Sequence, residues 1–272
     1  MKSFSTSPLA MLASLWRNRS LTVALIRRDV VGRYRGSIIG IVWSLFHPVL
    51  MLGVYTLVFS VAFRARWTPA SDSKTEFALI LFAGLIVFNL FAECVGRAPT
   101  LVLSNPNYVK KVVFPLEVLP WMAVGSALFH AAISTLAWLM FYLFLFGRPH
   151  LHVLLLPVAL LPLLLFTIGI SWFLASLGVF LRDVAQVVGV ATTTLMFLSP
   201  IFYPPSALPP DFQLLLYANP LTMPIEQVRN LMIWGLPFDW TEYALQTTGA
   251  AVVAWVGFVW FQRTRRGFAD VL

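Results

Sequence analysis

The chain has 272 residues, of which 59% are hydrophobic and only 11% are charged, and its net charge is +8. About a quarter of the residues of a soluble protein are charged, so this composition excludes a soluble globular fold and indicates a surface covered largely by lipid. The basic residues stand at the ends of apolar stretches rather than in one patch, which argues against nucleic-acid binding.

The N-terminal segment, residues 1–36, combines apolar positions with many arginines. Ser7 followed by Pro8 is typical of a helix start, because the hydroxyl caps the first turn and proline is tolerated there. We expect amphipathic helices that lie in the headgroup region of a membrane.

Six apolar stretches follow, and a membrane-spanning helix needs about 20 mostly apolar residues. The sequence therefore predicts an all-α membrane protein in which residues 37–272 form a single transmembrane domain with six membrane-spanning helices. The predicted spans are 37–63, 77–95, 116–146, 153–180, 184–199 and 243–261.

The orientation follows from the charges. An even number of spans puts both termini on one side, and most of the 19 basic residues fall on that side. The positive-inside rule places both termini in the cytoplasm.

The outer segment before the sixth span, residues 200–242, is proline-rich at its start and too apolar for a solvated loop. We expect short re-entrant helices there, and irregular backbone at this depth must line a cavity or be covered by protein. Phe202 and Tyr203 are candidates for an outer gate, or else ordinary interfacial aromatic anchors.

The charged residues near the inner ends of the spans are expected to form interfacial pairs. Glu93 stands four residues before Arg97, the spacing of an ion pair on one helix. Glu117 begins the third span, and we expect it to pair in the same way near Lys110 and Lys111.

Motifs for chemistry are lacking. The sequence has no phosphate-binding loop and no dinucleotide-binding glycine motif, and its histidines do not have metal-ligand spacing. His130, deep in the third span, is either a packed core histidine or a proton relay. We expect neither catalysis nor a bound cofactor or metal in this chain.

Aromatic residues on the first span, Trp43, Phe46, Tyr55 and Phe59, either line a substrate path or face lipid. Aromatic faces stack on the apolar faces of sugar rings, so a path of this kind suits a glycan.

A row of small residues at spacing four, Gly32, Gly36, Gly40 and Ser44, has the pattern that lets helices approach closely. It predicts either a seam between two copies of the chain or packing within one chain.

An ordered set of motifs along nearly the whole chain resembles the permease subunit of type-two ABC exporters for polysaccharides, above all the O-antigen branch. The motifs are Arg27-Arg28-Asp29-Val30-Val31-Gly32-Arg33-Tyr34-Arg35-Gly36-Ser37, Asn107-Tyr108-Val109-Lys110-Lys111 with Phe114-Pro115, Leu181-Arg182-Asp183, Ser199-Pro200-Ile201-Phe202-Tyr203-Pro204, Asn219-Pro220-Leu221 and Phe268-Ala269-Asp270.

The resemblance implies a homodimeric channel in the bacterial inner membrane that exports a lipid-linked polysaccharide. Two copies of a separate ATPase subunit would bind ATP and magnesium. Residues 97–114 would form the cytoplasmic coupling loop, and residues 200–242 the periplasmic gate segment. The implied coupling residues are Arg97, Asn105, Pro106, Tyr108, Lys110 and Lys111, and the implied basic rim for lipid phosphates comprises Arg28, Arg33 and Arg35.

Other functions remain open. A protein of the same class would export capsular polysaccharide, teichoic acid, another lipid or a drug. A membrane glycosyltransferase is a remote alternative, because it needs clustered carboxylates and those in this chain are scattered. A proton-coupled carrier is disfavoured by the sparse buried charge.

Overall fold

A computed structural model describes residues 5–36, 40–62, 67, 73–109 and 114–271. Within these residues the regular structure is entirely helical, as the sequence predicts. The α-helices are α1 (Pro8–Arg17), α2 (Arg19–Tyr34), α3 (Trp43–Tyr55), α4 (Lys74–Arg97), α5 (Pro106–Val109), α6 (Val118–Phe146), α7 (Leu156–Ala159), α8 (Leu161–Phe180), α9 (Val184–Leu198), α10 (Pro210–Ala218), α11 (Thr222–Arg229), α12 (Trp240–Thr264) and α13 (Phe268–Val271). Wider π-turns, Thr56–Ala62 and Asn230–Trp234, extend α3 and α11.

Side-chain caps define several helix starts. The Ser7 hydroxyl accepts a hydrogen bond from the Ala10 amide at 3.1 Å, which confirms the predicted start of α1. Ser73 caps α4 in the same way, and Asp239 accepts bonds from two amides at the start of α12. These bonds satisfy amide groups that a helix start leaves without intrahelical partners.

Four helical stretches in the described residues are long and apolar enough to cross a membrane: Lys74–Thr100, Val118–Phe146, Leu151–Phe180 and Trp240–Val271. They correspond to the predicted second, third, fourth and sixth spans. The other two predicted spans appear as shorter apolar helices, Trp43–Phe59 and Val184–Leu198. At 1.5 Å per residue, the 15 residues of α9 cover only about 22 Å, less than the ~30 Å hydrocarbon core. The six-span count stays a prediction.

The helix α4 lies at the centre of the fold. Residues 79–91 are all buried except Asn89. The Trp138 indole of α6 donates to the Leu79 carbonyl at 3.0 Å, and Trp172 of α8 donates to the Glu117 carbonyl at 3.1 Å. The indole N–H groups of Trp138 and Trp172 thus find partners on neighbouring helical segments.

Two glycines allow α8 and α12 to pack closely. A Cβ at Gly169 would lie 2.5 Å from the Val253 carbonyl oxygen and 2.7 Å from the Ala254 Cα. A Cβ at Gly257 would overlap the backbone of Gly169. The backbones touch because neither residue has a side chain, which is the small-residue packing of membrane helices.

The outer segment contains two short helices with different surroundings. The turn Pro205–Ala207 precedes α10, which exposes Leu214 and Leu215. In contrast, α11 is buried along most of its length. Prolines interrupt regular helix before α10, as expected, while the re-entrant placement of both helices in a membrane stays a prediction.

Candidate functional site: an inner polar network and an outer aromatic cluster

A bidentate ion pair joins α2 to the C-terminal end of α4. Both Arg97 terminal nitrogens donate to the Asp29 carboxylate, at 2.7 and 2.9 Å. Burial raises the pKa of Asp29, but hydrogen bonds and the positive charge of Arg97 outweigh burial, so the pKa lies below its ordinary value. Arg97, predicted as a coupling residue, therefore ties the N-terminal helix to the membrane domain.

A second chain of contacts links α2, α4 and α6 beside this pair. The Glu93 carboxylate lies 2.7 Å from the Arg33 guanidinium and 2.9 Å from Nδ1 of His130. Nε2 of His130 lies 3.0 Å from the Tyr34 hydroxyl. A neutral imidazole that donates from Nδ1 to the carboxylate must accept at Nε2 from Tyr34. The ring therefore has a partner at both nitrogens.

These contacts revise the predicted pairing of Glu93. Its distance to Arg97 is 3.8 Å, so the predicted pair exists. However, the closer partners are Arg33 and His130, which come from other helices. Sequence spacing identifies partners on one helix only. Arg33 and His130 reach Glu93 because α2 and α6 pack against α4.

Glu117 has two described partners that the sequence did not predict. Its carboxylate pairs with Arg265, near the C-terminus, at 2.7 Å and accepts a hydrogen bond from Ser14 at 3.1 Å. The start of α6 thus lies between α1 and the end of α12. Lys110 and Lys111 lie outside the described residues, so their pairing with Glu117 stays a prediction.

The predicted arginine rim has members with different roles. Arg33 is engaged by Glu93, and Arg28 donates to the Tyr108 hydroxyl with its guanidinium 5.6 Å from that ring's centre. Arg35 is exposed just beyond α2. The three residues are close in sequence, but two of them serve contacts within the protein.

The described part of the coupling segment is compact. The Asn105 amide donates to the Leu101 carbonyl at 2.9 Å, and Pro106 begins the short helix α5. The ring of Tyr108 stacks on Phe114, with centres 4.1 Å apart. A short helix is present here, while its rigidity and its contact with an ATPase stay predictions.

The small-residue row does not form one helical face. Gly32 lies in α2, Gly36 follows that helix with a φ of 87°, and Gly40 has a φ of 58°. Ser44 belongs to α3. A Cβ at any of the three glycines would meet nothing within 4 Å. The close packing that this pattern predicts occurs instead between α8 and α12, and a role of the row between two copies stays a prediction.

The four aromatic path candidates divide into two groups. Trp43 and Phe46 lie at the start of α3, meet edge to face at 5.2 Å, and are 41% and 48% exposed. Tyr55 and Phe59 lie near the other end of the first apolar helix. The two groups thus occupy opposite ends of this segment.

The second group meets the predicted outer gate. The Phe59 ring stacks on Phe202 with centres 4.5 Å apart, and Tyr55 lies 5.6 Å from the same ring. Phe202 is buried, while the Tyr203 hydroxyl donates to the Phe197 carbonyl at 3.0 Å. Two path candidates and both gate candidates therefore lie together with Phe197, in a group that we call the outer aromatic cluster after its predicted side of the membrane: Tyr55, Phe59, Phe197, Phe202 and Tyr203.

A buried arginine holds the backbone beside this cluster, and sequence reasoning missed its role. Arg229 of α11 has no solvent exposure. It donates to the carbonyls of Ile80, Pro200 and Ile201 and pairs with Glu226 at 2.8 Å. Burial lowers its pKa to about 10, which leaves it charged at neutral pH. A lone arginine within the apolar stretch 225–234 was the available sequence signal.

Comparison with known proteins supplies the family. The model of the ABC-2 type transporter family matches residues 20–233. The O-antigen export system permease protein RfbA of Myxococcus xanthus is 27% identical over 264 residues, covering 96% of this chain and 99% of that protein. The RfbA protein of Klebsiella pneumoniae is 28% identical over 255 residues, covering 93% and 95% respectively.

These matches confirm the resemblance seen in the motifs, and they extend over the outer aromatic cluster as well as the inner polar network, our name for the linked residues Asp29, Arg33, Tyr34, Glu93, Arg97 and His130. The relatives are permease subunits by name, in line with a transport role rather than a catalytic one. With more than half of its length matched by the family model, the chain belongs to the ABC-2 type transporter family.

Proposed function

We propose that this chain is the membrane-spanning subunit of an ATP-driven exporter that moves a lipid-linked, O-antigen-like polysaccharide across the bacterial inner membrane. The observation that carries the proposal is the near full-length similarity to O-antigen export permeases. The long apolar helices supply the membrane domain.

The working unit of this proposal contains two copies of the chain and two copies of a separate ATPase. The ATPase binds ATP and magnesium, and this chain contributes no cofactor. The first apolar helix, Trp43–Phe59, and α9 are shorter than the four long apolar helices and expose many apolar side chains, including Leu57, Val187 and Val190. Such surfaces suit contact with lipid or with the second copy.

The proposal retains six spans with both termini in the cytoplasm. Cysteines introduced near Ser71 and Ala207 are then labelled from outside, whereas cysteines at Ser104 and Ala269 are not. Labelling of Ser104 from outside would overturn this topology.

Force from the ATPase enters through the segment 97–114. Its short helix α5, with the Tyr108–Phe114 stack, is held against α2 by Arg28. We expect Lys110→Glu together with Lys111→Glu to uncouple ATP hydrolysis from export without preventing membrane insertion. Normal export by this double variant would remove the segment from the mechanism.

The direct test is complementation of cells that lack their own O-antigen permease. The chain is expressed with its ATPase, and lipid-linked glycan at the outer face is measured by surface labelling. We expect export with the intact ATPase and none with an ATPase whose phosphate-binding loop is disabled. Insertion of both subunits without export of O-antigen, capsular polysaccharide or teichoic acid would refute the proposal.

A further inference from the structure

A cavity of about 490 Å³ lies between α2, α3, α4 and α6, next to the inner polar network. Its volume falls within the ~300–1,000 Å³ typical of small-molecule sites. Its lining combines one exposed indole with polar side chains from four helices. The residues are Arg33, Tyr34, Trp43, Ser44, Pro48, Asn89, Ala92, Glu93, His130 and Ser134.

Asn89 is the first sign that this cavity has a function. It is the single exposed residue in the otherwise buried stretch 79–91 of the most deeply packed helix. A polar side chain within an apolar span is costly unless it faces a water-filled cavity or a polar ligand. Neither the Asn89 amide nor the Ser134 hydroxyl bonds to another group among the described residues, so both remain available to a ligand.

The charges of the lining balance. The Arg33 guanidinium is neutralised by the Glu93 carboxylate at 2.7 Å. The ring of His130 is engaged by Glu93 at one nitrogen and by Tyr34 at the other. The described lining residues therefore offer no uncompensated positive charge for an anion, and their chemistry favours a neutral ligand with many hydroxyl groups.

The remaining groups are those that recognise a sugar ring. Trp43 is 41% exposed and provides an aromatic face for the apolar side of a pyranose. The Asn89 amide both donates and accepts, and the Ser134 hydroxyl does the same. Glu93 has its position set by Arg33 and His130, and its Oε2, which contacts His130 at 2.9 Å, has a second lone pair that can accept from a ligand hydroxyl.

We propose that this cavity binds one sugar ring of the glycan, stacked on Trp43 and held by Asn89, Ser134 and Glu93. The inference rests on the proposed function, because it makes the cavity a saccharide subsite within the inner half of the export path. The ligand is a sugar ring rather than a lipid phosphate, because the charges of the lining are balanced and do not favour an anion.

The test is saturation-transfer NMR on the full chain in lipid nanodiscs. The probes are methyl glycosides of glucose, galactose, mannose and N-acetylglucosamine, with sodium pyrophosphate as a competitor. We expect transfer to at least one glycoside and no displacement by pyrophosphate. Loss of the aromatic contact in Trp43→Ala is expected to weaken binding about fivefold, and Asn89→Leu should weaken it similarly.

Two further variants separate binding from folding. Trp43→Phe keeps an aromatic face and should retain transfer, while Trp16→Ala removes an exposed indole of α1 outside the cavity and should have no effect. The inference is overturned if no glycoside receives saturation, if the Trp43→Ala and Asn89→Leu variants bind like wild type, or if pyrophosphate displaces the glycoside. Export by wild type in the complementation assay without glycoside binding would refute this subsite alone, whereas binding without export would refute the proposed function.

Discussion

Replacement of Arg229 by methionine tests whether one buried guanidinium holds the outer part of the fold together. Its four hydrogen-bond partners come from three places in the chain: the carbonyl of Ile80 in α4, the carbonyls of residues 200 and 201, and Glu226 in α11. Gly84 provides the room, because a Cβ there would lie 2.6 Å from the guanidinium. Methionine preserves much of the volume and removes every donor.

The magnitude follows from these contacts. Truncating one partner of a buried, charged hydrogen-bond set costs about 3–5 kcal/mol, because the acceptors stay buried without donors. For a chain of this size, such a loss lowers the melting temperature by on the order of 10 °C. The melting temperature of Arg229→Lys should fall between those of wild type and Arg229→Met, since one ammonium keeps the charge but does not reach acceptors on several sides.

The assay is thermal unfolding in detergent, followed by intrinsic fluorescence. Arg148→Met is the matched control, because Arg148 is exposed in the connection after α6. A melting temperature of Arg229→Met within about 2 °C of wild type would refute the reasoning. In that case the hydrogen bonds of Arg229 to the carbonyls of residues 80, 200 and 201 would not stabilise the fold.

Three further predictions concern the helix seam, the inner ion pair and the outer aromatic cluster. Gly257→Ala should destabilise the chain by about 1–3 kcal/mol because the new methyl group meets the Gly169 backbone. Gly249→Ala on the same helix, where a Cβ has nothing within 4 Å, should be neutral, and equal melting temperatures for the two variants would contradict the close approach of α8 and α12. Asp29→Asn should lower stability at neutral pH, and because the folded-state pKa of Asp29 lies below its ordinary 3.8, the stability difference from wild type should persist above pH 3.8 and disappear as the pH falls below it. Melting is measured as a function of pH with Asp211→Asn as the control, and a difference that already fades at neutral pH would exclude the Asp29–Arg97 ion pair as its cause. Phe202→Leu removes the ring stacked on Phe59 but keeps the site apolar, and we expect the resting transporter to leak small dyes from proteoliposomes. The control is Tyr217→Leu, which alters an exposed ring on α10, and a dye flux in Phe202→Leu no greater than in this control would make Phe202 a structural anchor only.

The family and the helical character followed from local patterns in the sequence. Apolar stretches of sufficient length predicted four helices that the structure has at full length, and the Ser7–Pro8 pattern predicted the start of α1. These predictions succeed because hydrophobic length and capping depend on residues close together in the chain.

The candidate site was predicted only in its parts. The sequence singled out Glu93, His130, Phe59 and Phe202, but it did not show that the first two touch or that the last two stack. The glycine row at 32–44 had the right chemistry for helix packing, yet α2 ends before Gly36, so the row has no common face. Close packing depends on which helix faces meet, and spacing within one helix does not determine that.

The sequence by itself determined that this chain resides in a membrane, which parts are apolar helices and which family it belongs to. Only the tertiary structure decided which charges pair, which glycines touch and where a polar cavity opens. His130 reaches a carboxylate 37 residues away, and Arg229 reaches a carbonyl 149 residues away. The rotation and axial register of each helix against its neighbours set such contacts, and these quantities emerge only when all apolar faces pack at once.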